Sequence, residues 1–452
     1  MDRRRIWGWW FYDWASQPYA TLLMTFIFGP YFAQVAAGAF AAAGAAPEAA
    51  RAQAQSLWGL GLGLAGVAIA VLAPVLGAVA DQAGRRLPWV WGFSALYVLG
   101  AAGLWRLTPD GAVLHFAVAC FGLGVIGMEF TAIFTNAMLP GLGPRREIGR
   151  ISGTGAAFGY AGGVLALALM LLFFAEGASG RTLIGLAPAF GLDPAAREGT
   201  RFAGPFTALW YVVFMIPFAL WVREPRGAAS GGVRLGRAMA GLGRLLASLP
   251  RRRSLSAWLL SSMLSRDALN GLYAFGGVYA ATVLGWPVVW VGVFGIVSAV
   301  AAAAITWAGG RADRLWGPKP VLVAATLVLV AVCMVVIGMD RRSVLGLAVA
   351  PGSSLPDAVF FACGVLIGGA GGVLQAAART MMVRHAAPER ATEAFGLYAL
   401  SGKATAFLAP LSIAAVTAAT GSQRAGISPL IVMFVLSLAL LVWVQSEGDQ
   451  GT

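Results

Sequence analysis

The sequence predicts an all-α membrane protein with twelve transmembrane helices in two pseudo-symmetric six-helix bundles. Three observations predict it. Of the 452 residues, 59% are apolar and only 11% are charged, against roughly 25% charged residues in a soluble domain. Apolar runs of about 20 residues, long enough to cross ~30 Å of hydrocarbon, recur along the chain. Two charged hairpins interrupt them as near-copies, Gly77-x3-Asp81-x2-Gly84-Arg85-Arg86 and Gly309-x3-Asp313-Arg314-x2-Gly317-x-Lys319. A repeated short turn between spanning helices suits two bundles that must rock against each other.

The spans are expected near 7–36, 57–80, 88–107, 112–139, 151–176 and 204–222, then 256–284, 288–309, 320–339, 358–383, 393–420 and 427–445. Arg3 to Arg5, an apolar stretch and the small residues at 36–39 imitate a cleaved leader. The stretch is too long for one and carries Asp13, so it is read as the first helix. The chain divides into an N-terminal bundle at 1–222, a basic linker at 223–255 and a C-terminal bundle at 256–452. In the linker, Val233, Leu235, Met239, Leu242, Leu245, Leu246 and Leu249 recur at helical spacing among Arg234, Arg237 and Arg244. That pattern predicts an amphipathic helix on the inner membrane surface.

The net charge of +13 would suggest nucleic acid in a soluble chain, but its placement says otherwise. With both termini inside, inner loops and ends hold 22 of the 32 Lys and Arg. They are Arg3 to Arg5, Arg85, Arg86, Arg145, Arg146, Arg150, the eight Arg between 223 and 253, Arg311, Arg314, Lys319, Arg379, Arg384 and Arg390. This asymmetry orients the protein by the positive-inside rule.

Ionisable groups inside spans cost roughly 2.5–3.5 kcal/mol on insertion scales and therefore mark partners or wet cavities. Asp267, Lys403 and Glu129 fall near the midplane and Asp13 nearer the inner face. Asp267 and Lys403 are expected to look into one cavity that binds solute or moves protons; a static bridge is the bland reading. Tyr19, Tyr160, Asn270 and Gln375 are candidate polar lining, with satisfied packing as the bland reading. The halves also match at Asp13-x2-Ser16-x2-Tyr19 and Asp267-x2-Asn270-x2-Tyr273, and at Gly153-x5-Gly159-Tyr160 and Gly396-x5-Gly402-Lys403. Cys120, Cys333 and Cys363 lack metal spacing and read as packing residues. No nucleotide-binding Gly-rich loop with Lys is present, so no ATP-driven step is expected from this chain. No enzyme, cofactor or metal site is expected.

The first hairpin, Gly77-Ala-Val-Ala-Asp81-Gln-Ala-Gly84-Arg85-Arg86, resembles the signature loop of the major facilitator superfamily. Further segments resemble its vacuole-effluxer branch, the bacterial relatives of the yeast autophagy-related vacuolar amino-acid exporter. These are Trp9 to Tyr19, Asn136 to Pro140, Ser152-Gly153 through Gly163, Arg266-Asp267, Gly371 to Gln375, and Glu393 to Tyr398 with Gly402-Lys403. The resemblance implies a two-bundle carrier with a midplane site and alternating access. It implies that Asp81, supported by Arg85 and Arg86, faces a helix end of the other half as a charge–dipole latch. Gly77, Gly84, Gly309, Asp313 and Arg314 complete the expected inner gate. Gln82 stands where the family has a basic residue, and the second hairpin has an extra residue before Gly317; both predict a weaker latch.

The expectation is therefore a secondary active transporter of a small polar solute, amino acids being the class the branch suggests, coupled to protons and acting as a monomer. Its partners would be lipid, solute and protons, not nucleic acid. Its place would be a bacterial inner membrane with both termini cytoplasmic. The alternatives are an exporter of hydrophobic or cationic compounds and a non-transporting membrane sensor or scaffold.

Overall fold

Hydrocarbon offers backbone N–H and C=O groups no partner, so a spanning chain satisfies them within helices. The computed structural model, which describes residues 2–177, 179–224, 235–286 and 288–448, is helical almost throughout. Spans 1 to 6 are Arg3–Ala42, Pro47–Ala83, Leu87–Arg106, Leu114–Gly141, Arg145–Phe174 and Glu198–Trp221. Spans 7 to 12 are Arg253–Thr282, Val288–Trp316, Pro318–Ile337, Leu355–His385, Pro388–Thr420 and Ala425–Leu441. Among the described residues, ten helices are both long and apolar enough to cross a membrane. Span 7 fails on polarity, since it holds five serines besides Arg266, Asp267 and Asn270, and span 12 is short. With these two the count reaches the expected twelve.

Both ends of the chain and both hairpins share one face. Arg5 donates to the Gly141 carbonyl at 3.1 Å, Arg145 pairs with Glu447 at 3.6 Å, and Lys319 donates to the Val444 carbonyl at 2.8 Å. On the opposite face Asp340 pairs with Arg424 at 2.7 Å. The backbone N–H groups of Arg342 and Ser343 hold the Asp340 carboxyl below its ordinary range.

Glycines let the two halves touch. A Cβ on Gly77 of span 2 would stand 2.6 Å from the Thr392 carbonyl of span 11, and a Cβ on Gly310 of span 8 would stand 2.8 Å from Cα of Gly153 in span 5. Span 2 thus packs along span 11 and span 5 along span 8, close to the hairpin face. Toward the opposite face, Leu408–Thr420 of span 11 packs on spans 7 and 12 of its own half, and Phe407 and Leu411 stay exposed. A cross-half contact there is Phe26 of span 1 against Gly295 of span 8. Near the hairpin face the halves are in backbone-to-backbone contact.

Two spans are interrupted. After Pro18, which lacks an N–H to continue the ladder, span 1 widens over Tyr19–Phe26 and breaks at Ile27. Span 11 consists of Ala391–Ala404 and Leu408–Thr420, with a break at 405–407 that hydropathy does not show.

In the linker, a helix forms at Leu235–Ser248; Val233 and Arg234 lie outside the described residues. It docks on protein: Ala238 and Leu242 are buried against Val75, Ala78 and Val79 of span 2. Arg390 of the other half donates to the Gly241 carbonyl at 3.2 Å, so the helix touches both bundles. Leu242→Ala removes a buried side chain worth about 2 kcal/mol or more. We expect a lower melting temperature in detergent and faster tryptic cleavage near Arg244; an unchanged melting curve would show the docking to be idle.

Candidate functional site

The first hairpin ends span 2 at Gly84, whose φ of +63° suits glycine. This turn aims Asp81 at the start of span 11, where its carboxylate accepts from the backbone N–H of Thr392 (3.2 Å) and of Glu393 (2.8 Å). An anion on helix-start N–H groups is favoured by charge and by orphan donors alike. Arg86 holds Asp81 at 3.1 Å and reaches the Thr392 hydroxyl (2.8 Å) and the Pro388 carbonyl (3.2 Å). Glu224 in turn accepts from the N–H groups of Arg86 and Leu87, capping span 3. Arg85 is exposed and has no polar partner among the described residues, so the arginine that supports the latch is Arg86.

The second hairpin is built differently. Arg314 pairs with Glu147 at 2.8 Å, and Glu147 also takes Arg150 at 2.9 Å. Asp313 is buried over Gly149 at the start of span 5, yet its Oδ1 has no hydrogen-bond partner. Gly309 packs under Val373 of span 10.

Above the hairpins lies a contact that sequence reasoning missed. Arg379 of span 10 enters a socket made wholly by the other half. It pairs with Asp13 at 3.1 Å and donates to the Ser152 carbonyl at 2.9 Å and the Asn136 side chain at 3.4 Å. Its guanidinium lies 5.4 Å from the Trp9 ring centroid. Both charged side chains are about seven-eighths buried, at 14% and 13% exposure. Asp13 thus belongs to the closed side of the molecule. The signal was available, because Arg379 lies inside the predicted end of span 10, but it counts among the charges of the inner ends and loops.

Deeper in the membrane, Lys403 of span 11 pairs with Glu129 of span 4 at 2.6 Å, again across the halves. Each side chain keeps about a quarter of its surface. The Gln375 amide of span 10 also reaches the Tyr160 hydroxyl of the opposite half, at 3.4 Å. Tyr273 lies over Gly371, one turn from Gln375 on span 10, and is 41% exposed although it sits mid-span. Asn270, one turn earlier on span 7, is also exposed. Gln375 and Tyr160 thus meet across the halves, and Tyr273 lies against the same stretch of span 10.

Two expected lining residues are elsewhere. Tyr19 is fully buried inside the N-terminal half, donating to the Phe121 carbonyl at 2.8 Å over Gly124. Asp267 does not share a cavity with Lys403. It is 2% exposed and accepts from the Ala409 N–H at 3.1 Å, capping the second segment of span 11. The break in span 11 creates that helix start, and the carboxylate follows it. Its neighbour Arg266 takes the place beside Lys403: it donates to the Tyr398 carbonyl at 3.1 Å, lies 4.4 Å from the Tyr398 ring centroid and rests on Gly402. Among the described residues no group of three or more His, Cys, Asp and Glu could hold a metal ion.

Residues 1–450 match the family described as vacuole effluxer Atg22 like. The chain belongs to that family. A Bacillus subtilis protein of the Atg22-like chain's size, the uncharacterized MFS-type transporter YxiO, is 23% identical over 448 residues, covering 97% of this chain and 94% of YxiO. The human organic anion transporter MFSD10 superposes with a TM-score of 0.69 at 17% identity, covering 97% of this chain and 99% of that one. FucP in its outward conformation gives 0.67 at 14% identity over 98% and 99% of the two chains. These structures place this Atg22-like chain in the major facilitator fold.

If Asp13–Arg379 is one cross-half bond, its two removals are not additive. Asp13→Asn and Arg379→Gln should each raise labelling of cysteines placed beneath them by a thiol reagent added at the hairpin face, several-fold. The double variant should match either single one; additive effects would show that the two side chains act separately.

Proposed function

We propose that this protein is a secondary transporter that moves a small polar solute by alternating access through the gap between its bundles. The observation that carries this reading is the Glu129–Lys403 pair: two opposite charges from opposite halves, inside their spans. A solute with charged or hydrogen-bonding groups can exchange with that pair, and separation of the halves then becomes possible. The sealed hairpin face supports the reading, since Asp81, Arg379 and Arg314 each find their partner across the halves.

By the positive-inside rule the arginine-rich hairpin face is the cytoplasmic one and the other face looks outward; a bacterial inner membrane suits the bacterial relative. Glu129 and Asp13 are the carboxylates able to take up a proton in place of an arginine or lysine partner, and coupling to protons follows from that exchange. Amino acids fit, with Lys403 on the carboxylate and Glu129 on the ammonium.

Counterflow of labelled amino acids in reconstituted vesicles, with and without a pH gradient, is the direct test. Lys403→Met and Glu129→Gln should each lower flux about tenfold or more, as loss of a buried charge partner does. Absence of flux for any solute in the wild type, or full flux in both variants, would refute the proposal.

A further inference from the structure

We infer that Arg266 is a second receptor, beside Lys403, for the carboxylate of the solute. The inference rests on the transport reading above and adds the residue whose fork recognises that group. Three charged side chains gather at the midplane: Glu129 from one half, Lys403 and Arg266 from the other. Arg266 rests on Gly402, next to Lys403, and Lys403 takes the Glu129 carboxylate. The cluster thus carries one anion and two cations. The two other acids near this level are committed elsewhere, Asp13 to Arg379 and Asp267 to the Ala409 N–H.

Arg266 is held as a receptor for an anion would be. One Nη donates to the Tyr398 carbonyl, and the plane is supported by the Tyr398 ring 4.4 Å away. Trp258 stacks with that ring, centroids 6.3 Å apart. A Cβ at Gly402 would collide with the guanidinium, so glycine there makes the seat. Its remaining N–H donors have no protein acceptor among the described residues. A planar fork with free donors matches a carboxylate's two oxygens, which a lysine's point charge does not. An unbalanced cation in the membrane is costly, and a bound anion offsets that cost. Glu129 then reads the rest of the solute.

The test uses the purified full-length protein and a panel of probes of matched chain length: straight-chain mono- and dicarboxylates, the corresponding amides and the corresponding amines. A ligand that binds the folded state raises its melting temperature. Carboxylates should raise it and amides and amines should not. Arg266→Gln should weaken carboxylate binding about tenfold or more, and Arg266→Lys should restore part of it. Should these variants fold poorly, mass-spectrometric mapping of phenylglyoxal modification in the wild type replaces them: carboxylates should protect Arg266, and amines should not. Stabilisation by amines or amides, unchanged carboxylate binding in Arg266→Gln, or no carboxylate effect on either readout overturns the inference. Flux of an amine or sugar would leave the transport reading standing while this one fails; carboxylate binding without any flux would do the reverse.

Discussion

A charge in hydrocarbon has to be met, and in this molecule charges on one half are met by the other. Asp81 takes the backbone N–H groups that open span 11, Arg379 enters a socket with Asp13, Arg314 takes Glu147, and Lys403 takes Glu129. Each contact is favourable only while the two halves stand together at that level. Once they separate, water must replace the lost partner, so every such bond can be made or exchanged but is poorly tolerated half-made. Closed interfaces of this kind behave as two-state elements, which is what a rocking carrier uses.

The two halves share a plan without sharing its signs. Span 5 opens with Glu147 paired to Arg150, and span 11 opens with Arg390 paired to Glu393, the same spacing with the charges exchanged. The hairpins follow suit. The first presents an anion, Asp81, to the helix start beyond it; the second presents a cation, Arg314, to Glu147, and leaves one oxygen of Asp313 without a partner. Of the two, the Asp81 latch is the better satisfied, and Gln82 beside it is exposed and takes no part.

Much of this was legible in the sequence because hydropathy and helical geometry are local. Composition marked the membrane, run length marked the spans, and the duplicated hairpins marked the two halves and placed Asp81 at a helix end. Pairing was not legible, because it depends on which faces turn inward. A cavity shared by Lys403 and Asp267 does not form, because adjacent residues on a helix point ~100° apart: Arg266 meets Tyr398 and Gly402 in the first segment of span 11, and Asp267 meets Ala409 in the second. The break at 405–407 does not show in hydropathy, although Pro410, which has no N–H for the Ala406 carbonyl, marks the restart of the helix; without that restart Asp267 has no helix start to cap. Arg379, inside the predicted span 10, counts among the charges of the inner ends and loops because charge counting does not show that its side chain turns into the other half to meet Asp13.

The central claim is that cross-half charge contacts hold the hairpin face shut. Pulsed electron–electron spectroscopy between spin labels at positions 85 and 389, both exposed and on opposite halves, tests it most directly, with Cys120, Cys333 and Cys363 replaced. The wild type should give a narrow, short distance distribution, and a variant lacking the Asp81 and Arg379 side-chain charges should give a broader one shifted to longer distances. The same narrow distribution in both would contradict the account.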